Sequence, residues 1–317
     1  MNGKCCTPSR AGTPSVKSAH WGSTGYSGAH GIEQANVPAG AFLMGDANND
    51  GLPGDGEQPV HQVRLSAFSI DATSVTNADF GQFVDETGYR TEAEIYGYSA
   101  VFHLAVDALD EDLLGRPPET PWWLGVAGAD WRHPEGRRSH IEDREAHPVV
   151  HVSWNDAAAY CAWAGRRLPT EGEWEYAARG GLSGKRYPWG DELQPTGDWH
   201  CNIWQGRFPE EDEGADGWRG TAPVRSYRPN GYGLWQMVGN VWEWCADWFE
   251  PGYYFCSPAD DPEGPAVGLR RVLRGGSYLC HASYCNRYRN SARSSNTPDS
   301  SASNIGFRTA SIRPTCE

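Results

Sequence analysis

Two cysteines five residues apart, Cys280 and Cys285, are the residues of this 317-residue chain best suited to redox or metal chemistry. A spacing of five places two side chains on different sides of an α-helix and on opposite faces of a β-strand. Their sulfurs can therefore meet only if the segment turns. Two thiolates that meet form either a reducible disulfide or a two-coordinate site for a soft ion such as Cu(I). On spacing alone, a structural disulfide or two unrelated buried thiols is the favoured interpretation, because cysteine is among the most buried residue types.

The C-terminal part of the chain is rich in arginine around these thiols. Guanidinium groups could lower the pKa of a thiol or bind an acidic substrate segment. They could equally serve the fold by hydrogen bonding to carbonyl and carboxylate groups. The sequence leaves both roles open for Arg270, Arg271, Arg274, Arg287, Arg289, Arg293, Arg308 and Arg313.

The bulk composition excludes several classes of protein. The formal net charge of −14 argues against nucleic acid as a partner, because general affinity for phosphate requires clustered Lys and Arg. No stretch is long and apolar enough to be a membrane span, and residues 1–34 lack the apolar core of a secretory signal. An odd number of cysteines, nine, without an export signal predicts a cytoplasmic protein with mostly reduced thiols.

The order of the parts along the chain predicts one domain. Residues 1–34, which include Cys5 and Cys6, lack apolar periodicity and are rich in Gly, Ser, Thr and Ala, so we expect a flexible N-terminal arm. No linker-like change of composition follows, so we expect a single domain over residues 35–317. The 38 glycines and 22 prolines predict abundant turns and little regular secondary structure.

Capping signals predict three helices in this domain. Thr76, Ser153 and Thr170 are each suited to an N-cap, and glycines stop the apolar patterns that follow them. The alternating segment Val63–Ile70 predicts one strand. Cys161 falls on the inward stripe of the second helix, so its simplest role is that of a small core residue.

Common catalytic motifs are missing from the chain. There is no phosphate-binding Gly-Lys-Ser/Thr loop, dinucleotide fingerprint, Gly-x-Ser-x-Gly elbow or Cys-x-x-Cys pair. His133, His147 and His151 lack the spacing of a helical metal site, so a ligand role is not favoured for them. Two irregular segments, 202–218 and 236–243, carry the amide, carboxylate and carbonyl oxygens that a hard cation such as Ca²⁺ accepts.

Long segments of the chain closely resemble the formylglycine-generating enzymes, also called sulfatase-modifying factors. The resemblance spans nearly all of Val37–Pro314 and includes the segment around both thiols. Its motifs are Thr91–Glu94, Pro121–Leu124, Trp131–Gly136, His147–Asp156, Arg167–Glu171, Asn202–Gly206, Asn230–Leu234, Gly239–Trp244, Arg274–Arg289 and Asn296–Arg308.

The resemblance implies a fold and an activity. The family's fold resembles a duplicated, heavily modified C-type lectin domain, a single compact α+β domain that is poor in regular secondary structure. The implied activity is a copper-dependent oxidation by O₂, in which a cysteine of a Cys-x-Pro-x-Arg segment in an unfolded sulfatase becomes Cα-formylglycine. On this resemblance Cys280 and Cys285 would hold Cu(I), which agrees with the softness of sulfur ligands, and Ser277 would join them as a catalytic residue.

The resemblance also implies substrate-binding residues. Trp242 and Tyr284 lie in segments that line the family's active site, although packing is an equally good role for Trp242. Ser301 and Asn304 match positions that hydrogen-bond the substrate backbone, and Arg287 accompanies them. Polar residues in such a loop could instead satisfy turns.

Two structural Ca²⁺ sites are implied as well. Half of the matching positions could contribute only backbone carbonyls, and one carries a glutamine where relatives can have the shorter asparagine. One site maps onto Asn202, Ile203, Asp216 and Trp218, and the other onto Gln236, Gly239, Val241 and Glu243.

The chain departs from secretory-pathway members of the family at their disulfides. Cys161 faces Thr309 in the motif alignment, and Ala178 and Asn290 occupy the positions of another pair. The chain is thus suited to a reducing cytosol, and we expect a cytoplasmic monomer. Two other interpretations are a non-catalytic peptide-binding relative, which would lack the thiol pair, and a sulfoxide-forming iron enzyme, which would need an additional His-rich helical domain.

Overall fold

Capping hydrogen bonds begin the helices where the sequence predicts them. In the computed structural model, which describes residues 7–10 and 30–311, the side chains of Thr76, Ser153 and Thr170 each accept a hydrogen bond from the backbone N–H three residues on. Each of these helices stops at a glycine in the left-handed conformation. A further short helix follows Thr91 with the same capping arrangement. The helices are α1 (Asn77–Thr87), α2 (Glu92–Tyr96), α3 (Trp154–Ala164) and α4 (Glu171–Arg179), with 3₁₀ turns at Asp110–Asp112 and Tyr253–Phe255.

The strands are short, and one of them differs from the prediction. The predicted strand Val63–Ile70 is broken at Ser66, whose amide and hydroxyl donate to the Asp261 carboxylate at 2.9 and 2.7 Å instead of to a neighbouring strand. The strands are β1 (Gln34–Val37), β2 (Gly40–Met44), β3 (His61–Leu65), β4 (Phe68–Asp71), β5 (Tyr98–Phe102), β6 (Leu113–Gly115), β7 (Trp123–Ala127), β8 (Arg166–Arg167), β9 (Gly206–Arg207), β10 (Glu211–Asp212), β11 (Trp242–Trp248), β12 (Arg271–Arg274), β13 (Arg293–Asn296), β14 (Ile305–Gly306) and β15 (Ala310–Ser311).

One of the small sheets positions the thiol segment. The described strands pair in the orders β13-β12-β11-β14, β1-β4-β15-β8, β5-β7-β6, β2-β3 and β10-β9. In the first of these, β12 and β13 are antiparallel and pair Arg274 with Arg293, so residues 275–292 connect two neighbouring strands. Strand β14 runs parallel to β11 and pairs Ile305 with Trp242. The loop that precedes Ile305 therefore arrives at the same end of the sheet as the thiol segment.

Aromatic side chains fill the core, as their number in the sequence predicts. Trp123, Trp174, Trp204 and Trp244 are buried, and so is Cys161, which confirms its predicted place in the core. Short helices and strands alternate with long irregular connections, which confirms the predicted α+β class. The longest described helices have 11 residues, and none of the described helices has the length and apolar character needed to cross a bilayer.

Part of the predicted N-terminal arm contacts the domain. Residues 7–10 and 30–34 of the arm are described, and the first strand begins at Gln34, one residue before the predicted domain boundary. The imidazole Nε2 of His30 lies 2.8 Å from an Asp71 carboxylate oxygen. The prediction of a flexible arm otherwise concerns residues outside the described part, including Cys5 and Cys6, as do residues 312–317 of the predicted domain.

The clustered arginines serve the fold. Burial would raise the pKa of the Glu175 carboxyl, but the charges of Arg179 and Arg274 outweigh burial and lower this pKa. Of the two roles that the sequence left open, the structure shows hydrogen bonding to buried carboxylates. The buried pairs are Arg274 with Glu171 and Glu175 (3.0 and 2.5 Å), Arg287 with Asp55 (2.6 Å), Arg289 with Glu57 (2.7 Å), Arg293 with Glu171 (2.6 Å) and Arg308 with Glu243 (2.7 Å).

We predict that Asp55→Asn strongly destabilises the fold. The substitution preserves the size of the side chain but removes the charge of Asp55 from its buried pair with Arg287, and breaking a buried pair costs about 3–5 kcal/mol. Urea denaturation measures this loss as a lower free energy of unfolding.

Asp260→Asn is the matched control for Asp55→Asn. Asp260 also binds an arginine, Arg64, through both carboxylate oxygens, at 2.6 and 2.7 Å, but this pair is exposed. We expect no resolvable change, because exposed ion pairs contribute little to stability. Equal losses for the two variants would contradict the importance of burial.

Candidate active site

The segment that carries the two thiols turns, as their spacing requires. The amide of Cys280 donates to the Ser277 carbonyl at 2.9 Å, and the amide of Cys285 donates to the His281 carbonyl at 3.0 Å. Both cysteine side chains are buried, with about 1% of each exposed. The sulfur of Cys280 accepts a weak hydrogen bond from the Ser277 amide at 3.4 Å. Both thiols also lie close enough to Tyr288 to contribute, after burial, to the raised pKa of its phenol. The turn therefore places two buried sulfurs in one neighbourhood.

A glycine permits the close approach of the chain at Cys280. Gly276 has a φ of +72°, which side chains rarely adopt. A Cβ atom at this position would lie 3.2 Å from the Cys280 sulfur and 2.5 Å from the Arg287 carbonyl oxygen. The Gly-Gly pair before Ser277 is thus required by the geometry of the site.

Asn304 holds the Ser277 hydroxyl in place. The Asn304 Nδ2 donates to Ser277 Oγ at 2.9 Å, and the Leu279 amide donates to the same oxygen at 3.3 Å. With both lone pairs of Oγ engaged, the O–H of Ser277 remains as a donor toward a ligand. Asn304 is itself fixed to the sheet, because its carbonyl accepts from the Trp242 amide at 2.9 Å. The predicted residues Ser277, Cys280 and Asn304 are therefore brought together.

Aromatic rings form the walls of a cleft beside Cys280. The rings of Phe208 and Tyr284 stack with centroids 4.1 Å apart and an interplanar angle of 12°. Trp122 meets the Tyr284 ring edge-on at 5.1 Å. Tyr284 is thus where the sequence predicts it, whereas Phe208 and Trp122 were missed as site residues, although Trp122 lies in a motif of the resemblance. The cleft is lined by Trp122, Trp123, Phe208, Ser277, Leu279, Cys280 and Tyr284.

Two predicted substrate-binding residues have buried side chains that do not line the cleft. Trp242 is fully buried in the core and is not among the residues that line the cleft, and its indole N–H has no hydrogen-bond partner. The Arg287 guanidinium is fully buried and donates to both oxygens of Asp55, at 2.6 and 2.8 Å. The structure therefore shows Arg287 in an internal ion pair, and Trp242 in the packing role that the sequence left open.

A chain of hydrogen bonds orients the Ser301 hydroxyl. Burial lowers the pKa of His151 to about 4, so its imidazole is neutral. Its Nε2–H donates to the Pro134 carbonyl at 2.8 Å, so its Nδ1 accepts from the Ser99 hydroxyl at 2.8 Å. Ser99 Oγ in turn accepts from Ser301 at 2.8 Å. The orientation of the Ser301 hydroxyl thus depends on His151. Both ring nitrogens of this histidine are hydrogen-bonded, so neither is available to bind a metal.

Oxygen atoms converge in the first predicted calcium loop. Oδ2 of Asp216 accepts from the Ile203 amide at 2.9 Å and from the Gln205 side-chain amide at 2.8 Å. The same Gln205 nitrogen contacts the Ile203 carbonyl, and Oδ1 of Asn202 is buried without a hydrogen-bond partner. Burial raises the pKa of the Asp216 carboxyl. These oxygens are of the kind that a hard cation accepts, and the Trp218 amide donates to Asp216 Oδ1 at 3.0 Å.

The second predicted calcium set fits a cation less well. The Glu243 carboxylate accepts four hydrogen bonds, two from Arg308 and one each from Ser74 and Trp174, at 2.7–2.8 Å. A cation could bind there only if one of these donors left. The Gln236 Oε1 is buried without a partner, and its amide donates to the Pro223 carbonyl at 2.6 Å.

The backbone positions of the second set lie beside the first loop. A Cβ at Gly239 would lie 2.4 Å from the Asn202 carbonyl oxygen, and Val241 is buried two residues further on. Within the described part of the chain, no group of three or more His, Cys, Asp and Glu side chains is arranged to hold a metal. Ion binding in the two loops would therefore depend on amide and carbonyl oxygens as well as carboxylates.

Comparisons with known proteins identify the family of this chain. A family model described as "Sulfatase-modifying factor enzyme 1-like domain" matches residues 29–312. A formylglycine-generating enzyme of Streptomyces coelicolor is 66% identical over 277 residues, 87% of this chain and 88% of that protein. A Bos taurus protein named inactive Cα-formylglycine-generating enzyme 2 is 48% identical over 284 residues, 88% of each protein.

The fold agrees as well. The solved structure of PvdO from Pseudomonas aeruginosa matches with a TM-score of 0.64 at 25% identity, covering 88% of this chain and 94% of that one. The expected single-domain, C-type-lectin-like fold is thereby confirmed. The chain belongs to the formylglycine-generating-enzyme, or sulfatase-modifying factor, family.

Proposed function

We propose that this protein converts a cysteine of a Cys-x-Pro-x-Arg segment in an unfolded sulfatase to Cα-formylglycine, with O₂ as the oxidant. The observation that carries the proposal is the buried thiol of Cys280 next to Ser277, at the base of a cleft with the aromatic walls Trp122, Phe208 and Tyr284. The relatives named as formylglycine-generating enzymes support the same activity.

Cys280 and Cys285 would hold Cu(I) in this proposal. Two sulfur donors in a buried, apolar neighbourhood match the preference of this soft ion. When bound, copper supplies a ligand position for the substrate thiolate and one-electron chemistry toward O₂. Burial among apolar groups otherwise favours neutral thiols, so thiolate formation would accompany metal binding.

The residues of the chain itself would orient the substrate and exclude water. The rings of Trp122, Phe208 and Tyr284 form apolar walls against which the substrate backbone can pack. The Ser277 O–H, oriented by Asn304, can donate a hydrogen bond at the reacting group. Conversion of CH₂–SH and water to an aldehyde and H₂S releases two electrons and two protons, whereas reduction of O₂ to two water molecules takes four of each. Two external thiols, oxidised to a disulfide, would supply the other two electrons and protons.

We predict that Cys280→Ser and Cys285→Ser each abolish turnover. Serine replaces a soft sulfur with a hard oxygen, so the two-sulfur site is lost. The protein is incubated with Cu(I), O₂, a thiol reductant and a Cys-x-Pro-x-Arg peptide, and the aldehyde is trapped with a hydrazide. Copper stoichiometry is measured in parallel, and we expect one Cu(I) per chain in the unsubstituted protein and none in either variant.

Cys256→Ser is the matched control, because Cys256 is exposed and distant in sequence from the cleft segment. It should retain full turnover and full copper content. Absence of aldehyde from the unsubstituted protein would refute the oxidase proposal, and retention of one copper per chain in both thiol variants would refute the assignment of the metal site.

A peptide-binding role without chemistry is the second candidate. It is favoured by the 48% identity to a relative named as inactive. The two candidates differ in O₂ consumption: peptide binding without O₂ uptake in the copper-loaded protein would select the binding role.

We also propose that the loop of Asn202, Ile203, Asp216 and Trp218 binds Ca²⁺ as a structural ion. The unpartnered oxygen of Asn202 supports this proposal, because a buried oxygen without a hydrogen-bond partner can accept a cation, and the partly buried Asp216 carboxyl lies in the same loop. The second set also has an unpartnered oxygen, Gln236 Oε1, but its Glu243 carboxylate is already hydrogen-bonded to four donors.

We predict that Ca²⁺ stabilises the protein through Asp216. An ion present at 100 times its Kd adds about 2.7 kcal/mol to the free energy of unfolding, so Ca²⁺ should raise the unfolding temperature of protein treated with EDTA. Asp216→Asn should remove most of this rise. Glu210→Gln, which changes an exposed carboxylate nearby, should keep it. If Asp216→Asn keeps the full rise, the ion binds elsewhere.

A further inference from the structure

We propose that the chain carries its own copy of the substrate motif, and that this segment competes with the external substrate for one peptide groove. The groove is formed by Tyr96, Tyr98, Asn296, Ser300 and Ser301. The copy is Cys6-Thr7-Pro8-Ser9-Arg10, which fits Cys-x-Pro-x-Arg. The pattern occurs once in the 317 residues. The segment Cys256–Asp260 has the cysteine and the proline but ends in aspartate. The proposal rests on the proposed function, which supplies the motif.

The Arg10 side chain lies in a pocket that recognises a guanidinium. Its Cζ lies 4.1 Å from the ring centroid of Tyr96 and 4.4 Å from that of Tyr98, so both rings interact with the cation. Its nitrogens donate to the carbonyls of Asp299 and Tyr98 at 3.3 and 3.2 Å and to the Ser301 hydroxyl at 3.4 Å. Ser301 is one of the residues for which the sequence predicts substrate binding.

The charges around this pocket also favour a cation. Burial raises the pKa of the Glu92 carboxyl, the negative charge of Asp299 raises it further, and the positive charge of Arg10 opposes both. One Glu92 oxygen, Oε2, is buried without a hydrogen-bond partner. A pocket with two carboxylates and two electron-rich rings has little use in the fold itself unless a cation fills it.

The groove also binds the backbone beside Arg10. The Arg10 amide donates to the Ser300 hydroxyl at 2.8 Å. The Asn296 side chain donates to the Pro8 carbonyl at 3.0 Å and accepts from the Ser9 hydroxyl at 2.7 Å. Pro8 has no N–H to satisfy, which suits a proline at this position of the motif. The contacts therefore fall on three consecutive motif residues.

The motif is long enough to extend from this pocket toward the thiols. Cys6 lies four positions before Arg10 in the sequence, a span of at most about 14 Å. Ser301, which contacts Arg10, is three residues from Asn304, a span of at most about 11 Å. Asn304 binds Ser277, which contacts the Cys280 sulfur. A cysteine four residues before the bound arginine is thus within reach of the thiol site. Cys6 lies outside the described residues, so this reach follows from chain length.

Tethering makes the internal segment an effective competitor. A segment joined by a short flexible linker has an effective concentration on the order of 1 mM. If its own Kd is about 0.1 mM, the apparent Kd of an external peptide increases about tenfold. Release of the segment would then control access to the site.

The test measures the affinity of a labelled Ser-Thr-Pro-Ser-Arg peptide, in which serine replaces the reacting cysteine so that no chemistry occurs. Arg10→Ala in the full chain should tighten peptide binding by about threefold to tenfold, because the competing segment loses its anchor. Ser301→Ala, made in the Arg10→Ala background so that the competing segment has already lost its anchor, should weaken binding, because Ser301 belongs to the groove. Arg64→Ala, at an exposed ion pair elsewhere, should leave the affinity unchanged.

The proposal is supported if Arg10→Ala tightens binding of the peptide and Ser301→Ala in that background weakens it. An unchanged or weaker affinity in Arg10→Ala overturns it, and so does an absence of peptide binding in every variant. Failure of the oxidase activity appears separately, as no aldehyde from a peptide that still binds, and it leaves the competition result valid.

Discussion

Buried ion pairs between arginine and carboxylate are the interactions on which this structure depends. Long irregular connections separate the strands in the C-terminal third of the chain, so many of the carbonyls there have no partner in a sheet. Arginine supplies several donors and a permanent charge, and here it binds carbonyls and carboxylates at once. Arg274 binds Asn290 O as well as Glu171, and Arg293 binds Gly56 O as well as Glu171. These bonds connect the irregular backbone to the core. Removing one partner of a buried pair would leave the other charge buried without compensation.

The same pairs fix the turn that carries the thiols. Arg274 immediately precedes the Gly-Gly pair before Ser277, and Arg287 follows Cys285 by two residues. Because Glu175 and Asp55 bind these two arginines in the interior, both ends of the turn are anchored. The two arginines therefore fix the position of the turn. The thiols remain in a largely apolar neighbourhood. In the proposed function a bound Cu(I), rather than a nearby guanidinium, would therefore favour the thiolate forms of these cysteines.

Local signals in the sequence predicted local structure well, and they failed where a residue depends on a distant partner. The caps at Thr76, Ser153 and Thr170 lie within three residues of their own partners, and the turn between the two cysteines follows from spacing. The ion pair of Arg287 with Asp55 could not be predicted, because a motif gives the position of a residue but not its partner, and Asp55 is 232 residues away. The cleft wall at Phe208 was missed for the same reason, since only the folded chain brings it against Tyr284.

The loop between Asn296 and Ile305 connects recognition to chemistry. At its beginning, Asn296, Ser300 and Ser301 bind the segment that ends in Arg10. At its end, Asn304 orients the hydroxyl of Ser277 beside Cys280. A ligand that fills the arginine pocket therefore stabilises the loop that sets the position of Ser277. Because the loop is anchored at one end by β13 and at the other by β14, this coupling requires no movement of the core. Under the proposed function, the span between the two ends of the loop would set the number of residues between the recognised arginine and the reacting cysteine.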